Sequence, residues 1–145
     1  MPQDLEHFRK LERMYMTAPI NSFFQPHLEV GSGQAQVRLT VREDFFHSAG
    51  AMHGAVYFKA LDDATYFAAQ SMVEDHFILT AHFEIDLLQP VVGGVVCAHA
   101  QVTEVTERKL LAAGELLDEQ GECVARGQGV FVVGRRLLSP ELGYE

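Results

Sequence analysis

Leu5, Phe8, Leu11 and Met14/Tyr15 recur at helical spacing with charged residues between them, which predicts an amphipathic N-terminal helix closed by Thr17-Ala18-Pro19. From Asn21 to Gly33 the pattern lapses into a connector with some apolar anchors. Gln34–Val41 then alternates: Ala35, Val37, Leu39 and Val41 on one face, Gln36, Arg38 and Thr40 on the other, as in a half-buried strand. Residues 54–73 are too many for one strand, and alanine recurs at 55, 60, 64, 68 and 69. Their few polar residues, Lys59, Asp62, Asp63 and Gln70, fall with Tyr66 on one narrow stripe. This predicts a helix buried on most sides and carrying one polar seam. After Glu74-Asp75-His76 come four strand-like runs, Ile78–Leu88, Val95–Val105, Leu110–Leu117 and Cys123–Val133, separated by Pro90, Gly93-Gly94 and a turn at 118–121. The order helix, strand, long buried helix, four strands predicts an α+β domain whose antiparallel sheet curls round one helix. With 145 residues and no repeat or linker, one domain over 1–145 is expected, with the N-terminal helix within 1–18 and a loosely held tail at 135–145.

Composition narrows the partners. Apolar residues at 48% and charged residues at 21% are ordinary for a soluble globular protein. No apolar run reaches the length of a membrane span, and the start MPQDLEHFRKLERMY is too charged for a secretory signal, so no membrane partner and a cytoplasmic location are expected. A net charge of −9 without a basic stripe argues against nucleic acid, though not against a small anionic ligand. Cys97 and Cys123 lack CxxC spacing and sit in apolar runs, which suggests core thiols. Histidines 47, 53, 76, 82 and 99 are scattered, with no HExxH or Cys/His ligand spacing, so neither metal nor other cofactor is expected.

The chemistry concentrates in HSAGAMHGAVYFKALDD, residues 47–63. A glycine-marked turn, Ala49 to Gly54, runs into the start of the long helix, where free backbone N–H groups and the positive end of the dipole can stabilise an oxyanion. Slightly more than two turns on stands Asp62-Asp63, a candidate base or nucleophile. Lys59 and Asp63 form an i,i+4 pair, so Asp63 already has a structural partner and Asp62 does not. His53 is expected to brace the turn. Gly31-Ser32-Gly33 is not a nucleophile elbow, and no Ser-His-Asp triad is visible. A thioester needs none, because its thiolate leaves with a parent pKa of about 8.5.

This order of elements, with this turn and this acid, resembles the hotdog-fold acyl-CoA thioesterases of the PaaI-like group. Their motif is Asn-x-x-Gly-x-x-His-Gly-Gly, then an Asp nine residues beyond the His; Gly50, His53, Gly54 and Asp62 match it. Thr80 stands where that group often has Ser or Thr, eighteen residues past the Asp, and Pro90 ends the same strand. The likeness covers roughly residues 30–134. Ala55 replaces the second Gly of the pair, and His47 replaces the Asn. The resemblance implies hydrolysis of acyl-CoA to free acid and CoA. It implies Gly54 N–H as oxyanion donor, Asp62 as general base or direct nucleophile, Thr80 holding the water or the carboxylate, and His47 in the place of the polarising amide. His53, Ala55, Asp63 and Tyr66 would face the substrate. It further implies a homodimer with its sites at the interface, or a dimer of such dimers. Coenzyme A is anionic, and Arg108, Lys109, Arg126, Arg135 and Arg136 are the basic pool that could meet it. Tyr57, Phe58, Tyr66, Phe67 and Phe83 could line an acyl pocket. Two alternatives stand beside this: a 3-hydroxyacyl thioester dehydratase, whose carboxylate lies fourteen residues past its His where this chain has Leu61, and a non-catalytic acyl-CoA-binding module.

Overall fold

The apolar stripe of the first helix is buried as its spacing demands. In a computed structural model that describes residues 4–145, helix α1 spans Leu5–Thr17 and buries Phe8, Leu11, Met14 and Tyr15. The Asp4 side chain caps it by accepting from the His7 N–H at 3.2 Å. Ala18 ends it in extended geometry, the conformation imposed on a residue before proline. Residues 1–3 of the expected span 1–18 lie outside the described residues.

The expected connector at 21–33 is corrected. It holds a one-turn helix, α2 (Asn21–Phe24), and a strand, β1 (His27–Gly31). β1 pairs antiparallel with β2 (Gln34–Thr40), setting Leu28 opposite Val37 and Val30 opposite Ala35. The hairpin closes through Ser32-Gly33, where Gly33 takes a φ of +70° that side-chain-bearing residues avoid.

The long helix is α3 (Gly54–Gln70), and four strands follow: β3 (His76–Leu87), β4 (Val95–Val105), β5 (Lys109–Leu117) and β6 (Cys123–Leu137). All pairings are antiparallel, in the order β1-β2-β4-β5-β6-β3. Ala60, Leu61, Ala64 and Ala68 are fully buried, as are Val37, Ala98, Leu116 and Phe131 of the sheet. The alanines let the strands approach the helix closely, so the sheet wraps it, which is the expected hotdog arrangement. Each large apolar side chain so buried contributes about 1.5–3 kcal/mol.

α3 was expected to reach residue 73 and stops at Gln70. That side chain donates to the carbonyls of Val73 and His76 at 2.9 and 2.8 Å and accepts from the Ile78 N–H at 2.9 Å, turning the chain into β3. The loose tail is also corrected. Residues 135–137 continue β6, with Leu137 opposite His76. Beyond it, His7 donates from Nε2 to the Gln70 carbonyl at 3.1 Å, leaving Nδ1 to accept from the Tyr144 hydroxyl at 2.7 Å. The two cysteines are free thiols but only half-buried, not core residues. No helix among the described residues is long and apolar enough to cross a membrane.

β3 is an edge strand, and its register with β6 shifts between Thr80 and His82. Ala81 is the extra residue of this bulge, so Thr80 and Phe83, three apart, both face α3.

Candidate active site

The bend before α3 is built by backbone bonds. His47 N–H donates to the Ala51 carbonyl, Gly50 N–H donates to the His47 carbonyl, and Gly50 takes a φ of +85°. His53 caps the helix: its Nδ1 accepts from the Ala55 N–H at 2.9 Å, and its own N–H donates to the Phe45 carbonyl at 2.9 Å. The neighbouring Gly54 N–H has no hydrogen-bond acceptor among the described residues. It points from the first turn of a helix, where the dipole favours negative charge.

Beside it opens a cavity of about 330 Å³, whose lining includes His47, Gly54, Tyr57, Leu87, Gln89 and Pro90. The Tyr57 hydroxyl fixes one wall by donating to the Gln89 carbonyl at 2.7 Å. His47 is exposed, and its Nδ1 accepts from the Ala49 N–H at 3.1 Å. In the neutral ring that leaves the proton on Nε2, a donor available to a ligand oxygen. A side chain at Gly54 would begin 3.3 Å from Leu87 Cδ1, so glycine leaves the approach to this N–H open.

Asp62 lies eight residues along the same helix, about 12 Å away at 1.5 Å per residue. Its Oδ1 accepts from the Thr80 hydroxyl at 3.1 Å, a bond made possible by the bulge in β3. Burial first, and the neighbouring Asp63 second, push its pKa up to about 6, against the pull of the Thr80 hydrogen bond and of Lys59. A carboxyl in that range can take and return a proton near neutrality. One turn earlier, Phe58 packs edge-on to Phe83 with ring centroids 5.2 Å apart. Phe83 fits only because Gly127 and Gly129 carry no side chain: a Cβ on either would fall 2.8–2.9 Å from its ring.

The other expected substrate-facing residues divide. Ala55 and His53 lie at the helix start, and both are exposed. Asp63 and Tyr66 are held by partners inside the protein. Asp63 Oδ2 accepts from both Lys59 Nζ and the Tyr15 hydroxyl, each at 2.6 Å. The Tyr66 hydroxyl is taken by the Ile78 carbonyl at 2.8 Å and Gln70 Oε1 at 3.1 Å. The polar seam of α3 is therefore an internal network, with Lys59 only 11% and Asp63 16% exposed. Tyr15 was not foreseen; its one sequence signal is a hydroxyl on an otherwise apolar stripe. A wider groove of about 960 Å³ crosses the sheet, lined in part by Glu29, Glu84, His99, Glu115 and Arg126, and shares no residue with the cavity beside Gly54. No group of three or more His, Cys, Asp or Glu side chains suited to a metal occurs among the described residues.

Residues 49–125 match the family model of the thioesterase superfamily. No curated protein matches the chain. Among solved structures, the PaaI protein of E. coli, from the phenylacetic acid degradation operon, aligns at TM-score 0.84 and 20% identity, over 93% of this chain and 98% of that one. A thioesterase family protein of Silicibacter pomeroyi aligns at TM-score 0.81 and 18% identity, over 88% and 97%. A conserved protein of Pseudomonas aeruginosa aligns at TM-score 0.79 and 27% identity, over 84% and 98%.

Proposed function

This chain belongs to the thioesterase superfamily, and from that premise we propose that it hydrolyses acyl-CoA thioesters to free acid and CoA at a site shared by two copies of the chain. The observation that carries the reading is the Asp62 carboxyl, half-buried, anchored by Thr80, and titrating near 6. A structural carboxylate on a solvated helix face would have neither the burial nor the anchor.

Distance supports a shared site. Gly54 N–H and Asp62 are about 12 Å apart on one rigid helix and cannot act on the same carbonyl. β3 offers an unpaired edge, and Phe58, Leu79 and Leu87 are 41%, 51% and 53% exposed along it and on α3 beside it. Two copies related by a two-fold axis through that edge would set their α3 helices antiparallel, so that Gly54 of one faces Asp62 of the other. The thioester carbonyl oxygen would accept from the Gly54 N–H and from His47 Nε2. Asp62 takes a proton from water as the water oxygen bonds to the carbonyl carbon. The resulting oxyanion, stabilised by about 3 kcal/mol from one such backbone donor, collapses with cleavage of the C–S bond. The thiolate leaves, and Asp62 returns its proton. Thr80 keeps the carboxylate aimed throughout. The Phe58–Phe83 pair, one helical turn from Asp62, closes the space next to the acid and favours short or flat acyl groups.

Thiol release from acetyl-, hexanoyl-, decanoyl-, palmitoyl- and phenylacetyl-CoA, compared between wild type and Asp62→Asn, tests the proposal. Turnover of at least one substrate that collapses in the folded variant is the expected result. Binding without turnover in the wild type would make the chain an acyl-CoA-binding module.

A further inference from the structure

The proposed chemistry leaves one buried carboxylate without a task. Asp63 Oδ2 accepts two hydrogen bonds of 2.6 Å, one from Lys59 a turn earlier on α3 and one from Tyr15 on α1. The Lys59 ammonium lies over the rings of Tyr15 and Phe24, 5.1 and 5.2 Å from their centroids. Tyr15 is 5% exposed and locked by an edge contact to Phe67 at 5.1 Å. The donors belong to different elements, and α1 lies wholly before the family match at residues 49–125. A simple i,i+4 surface pair would need neither the tyrosine nor the burial.

Asp62, the next residue, is faced by Lys59, Asp63 and Tyr66 of its own helix, by Tyr15 of α1 and by Thr80 of β3. Burial pushes both tyrosines far up, so they stay neutral, and Thr80 carries no charge. The charges facing Asp62 among the described residues are thus Lys59 and Asp63; the lysine is bonded to Asp63 Oδ2 and also pulls Asp62 down, against Asp63. Burial pushes Asp63 up as well, and Lys59 and the Tyr15 hydrogen bond hold it down. Two donors on one oxygen favour the ionised form.

We propose that Asp63, clamped by Tyr15 of the N-terminal helix and by Lys59, is a positioning residue whose negative charge raises the proton affinity of Asp62 above what burial alone gives it. The inference rests on Asp62 being the base of the proposed reaction. It gives α1 a role in the site's pH dependence that its distance along the chain conceals. Asp63 itself touches no reacting atom.

The test is a carboxyl ¹³C NMR titration of Asp62 and Asp63 in the full chain, wild type and Asp63→Asn, run beside the pH profile of kcat/KM for thiol release. The asparagine keeps an oxygen for Lys59 and Tyr15 while removing the charge. The Asp62 midpoint is expected to fall on the order of one pH unit, and the acid limb of kcat/KM to move down by the same amount. Roughly tenfold higher relative activity at the foot of that limb follows from the same shift. Wild-type Asp63 is expected to remain ionised while Asp62 titrates, and Tyr15→Phe to raise the Asp63 midpoint. An unmoved Asp62 midpoint in Asp63→Asn, or a neutral Asp63 at a pH where Asp62 is ionised, overturns the proposal. The second of these needs only the wild type and stands even if the variant does not fold. The NMR midpoints do not depend on turnover, so a failure of the thioesterase reading and a failure of this inference leave different records.

Discussion

Replacing Asp62 with asparagine should make the folded protein more stable at pH 8 and leave it unchanged at acid pH. The carboxyl titrates near 6 in the fold, against an ordinary 3.8. Because the folded value is the higher one, the folded state binds more protons than the unfolded chain between those limits. Stability is therefore fully present below about 4 and is lost as pH rises through about 6. Two pH units correspond to about 3 kcal/mol, and the remaining solvent contact of a half-buried group reduces this to about 1–2 kcal/mol. The asparagine side chain would keep an oxygen for Thr80, so no hydrogen bond need be lost. For a chain of this length the gain amounts to roughly 3–6 °C in Tm at pH 8. Thermal and urea unfolding at pH 4 and pH 8, at one protomer concentration because the site is proposed to be dimeric, measures it. Equal stability differences at both pH values, or a less stable variant at pH 8, would refute the picture of a base held in an unfavourable ionised state for the sake of chemistry.

Other outcomes follow from single contacts. Gly54→Pro removes the N–H and sets ring carbons in the approach that glycine leaves open, without breaking the helix: proline is tolerated in the first turn, and His53 already has the extended backbone a following proline requires. Circular dichroism should be unchanged while kcat drops about 10²–10³-fold. Thr80→Val takes away the hydrogen bond that favours ionised Asp62, so the acid limb of kcat/KM should move upward by about one unit, the opposite of Asp63→Asn. Gln70→Leu strips partners from the Val73 and His76 carbonyls and the Ile78 N–H in a fully buried setting, and should cost about 3 kcal/mol in urea unfolding. Phe83→Ala vacates the space over Gly127 and Gly129 and should shift the preferred acyl chain towards longer substrates in the same thiol-release panel.

Much of this was legible in the residues because its signals are local. The alternation of 34–41, the alanine spacing of 54–70 and the turn residues between later strands each report on their own segment, and each of these elements formed within a few residues of its expected limits. The match of Gly50, His53, Gly54, Asp62 and Thr80 to a family pattern likewise needs only spacing. What escaped depends on partners distant in the chain. β1 offers just Leu28 and Val30 as an alternating pair, and becomes a strand because β2 lies ready beside it; the Ser32-Gly33 turn was the available clue. Arg135 and Arg136 look like a solvated tail, yet their backbone completes β6 against the start of β3. Tyr15 reaches Asp63 across 48 residues, and no periodicity encodes that contact. The bulge at Ala81, which aims Thr80 at Asp62, has no sequence signature of its own.

In the proposed dimer, each catalytic site draws Gly54 from one chain and Asp62 from the other. Asp62→Asn and Gly54→Pro homodimers, each nearly inactive, should regain activity when mixed and allowed to exchange subunits. Random exchange makes about half the dimers mixed, each with one intact site of two, so roughly a quarter of wild-type turnover is predicted. Mixed dimers that form but remain as inactive as their parents would contradict the shared site.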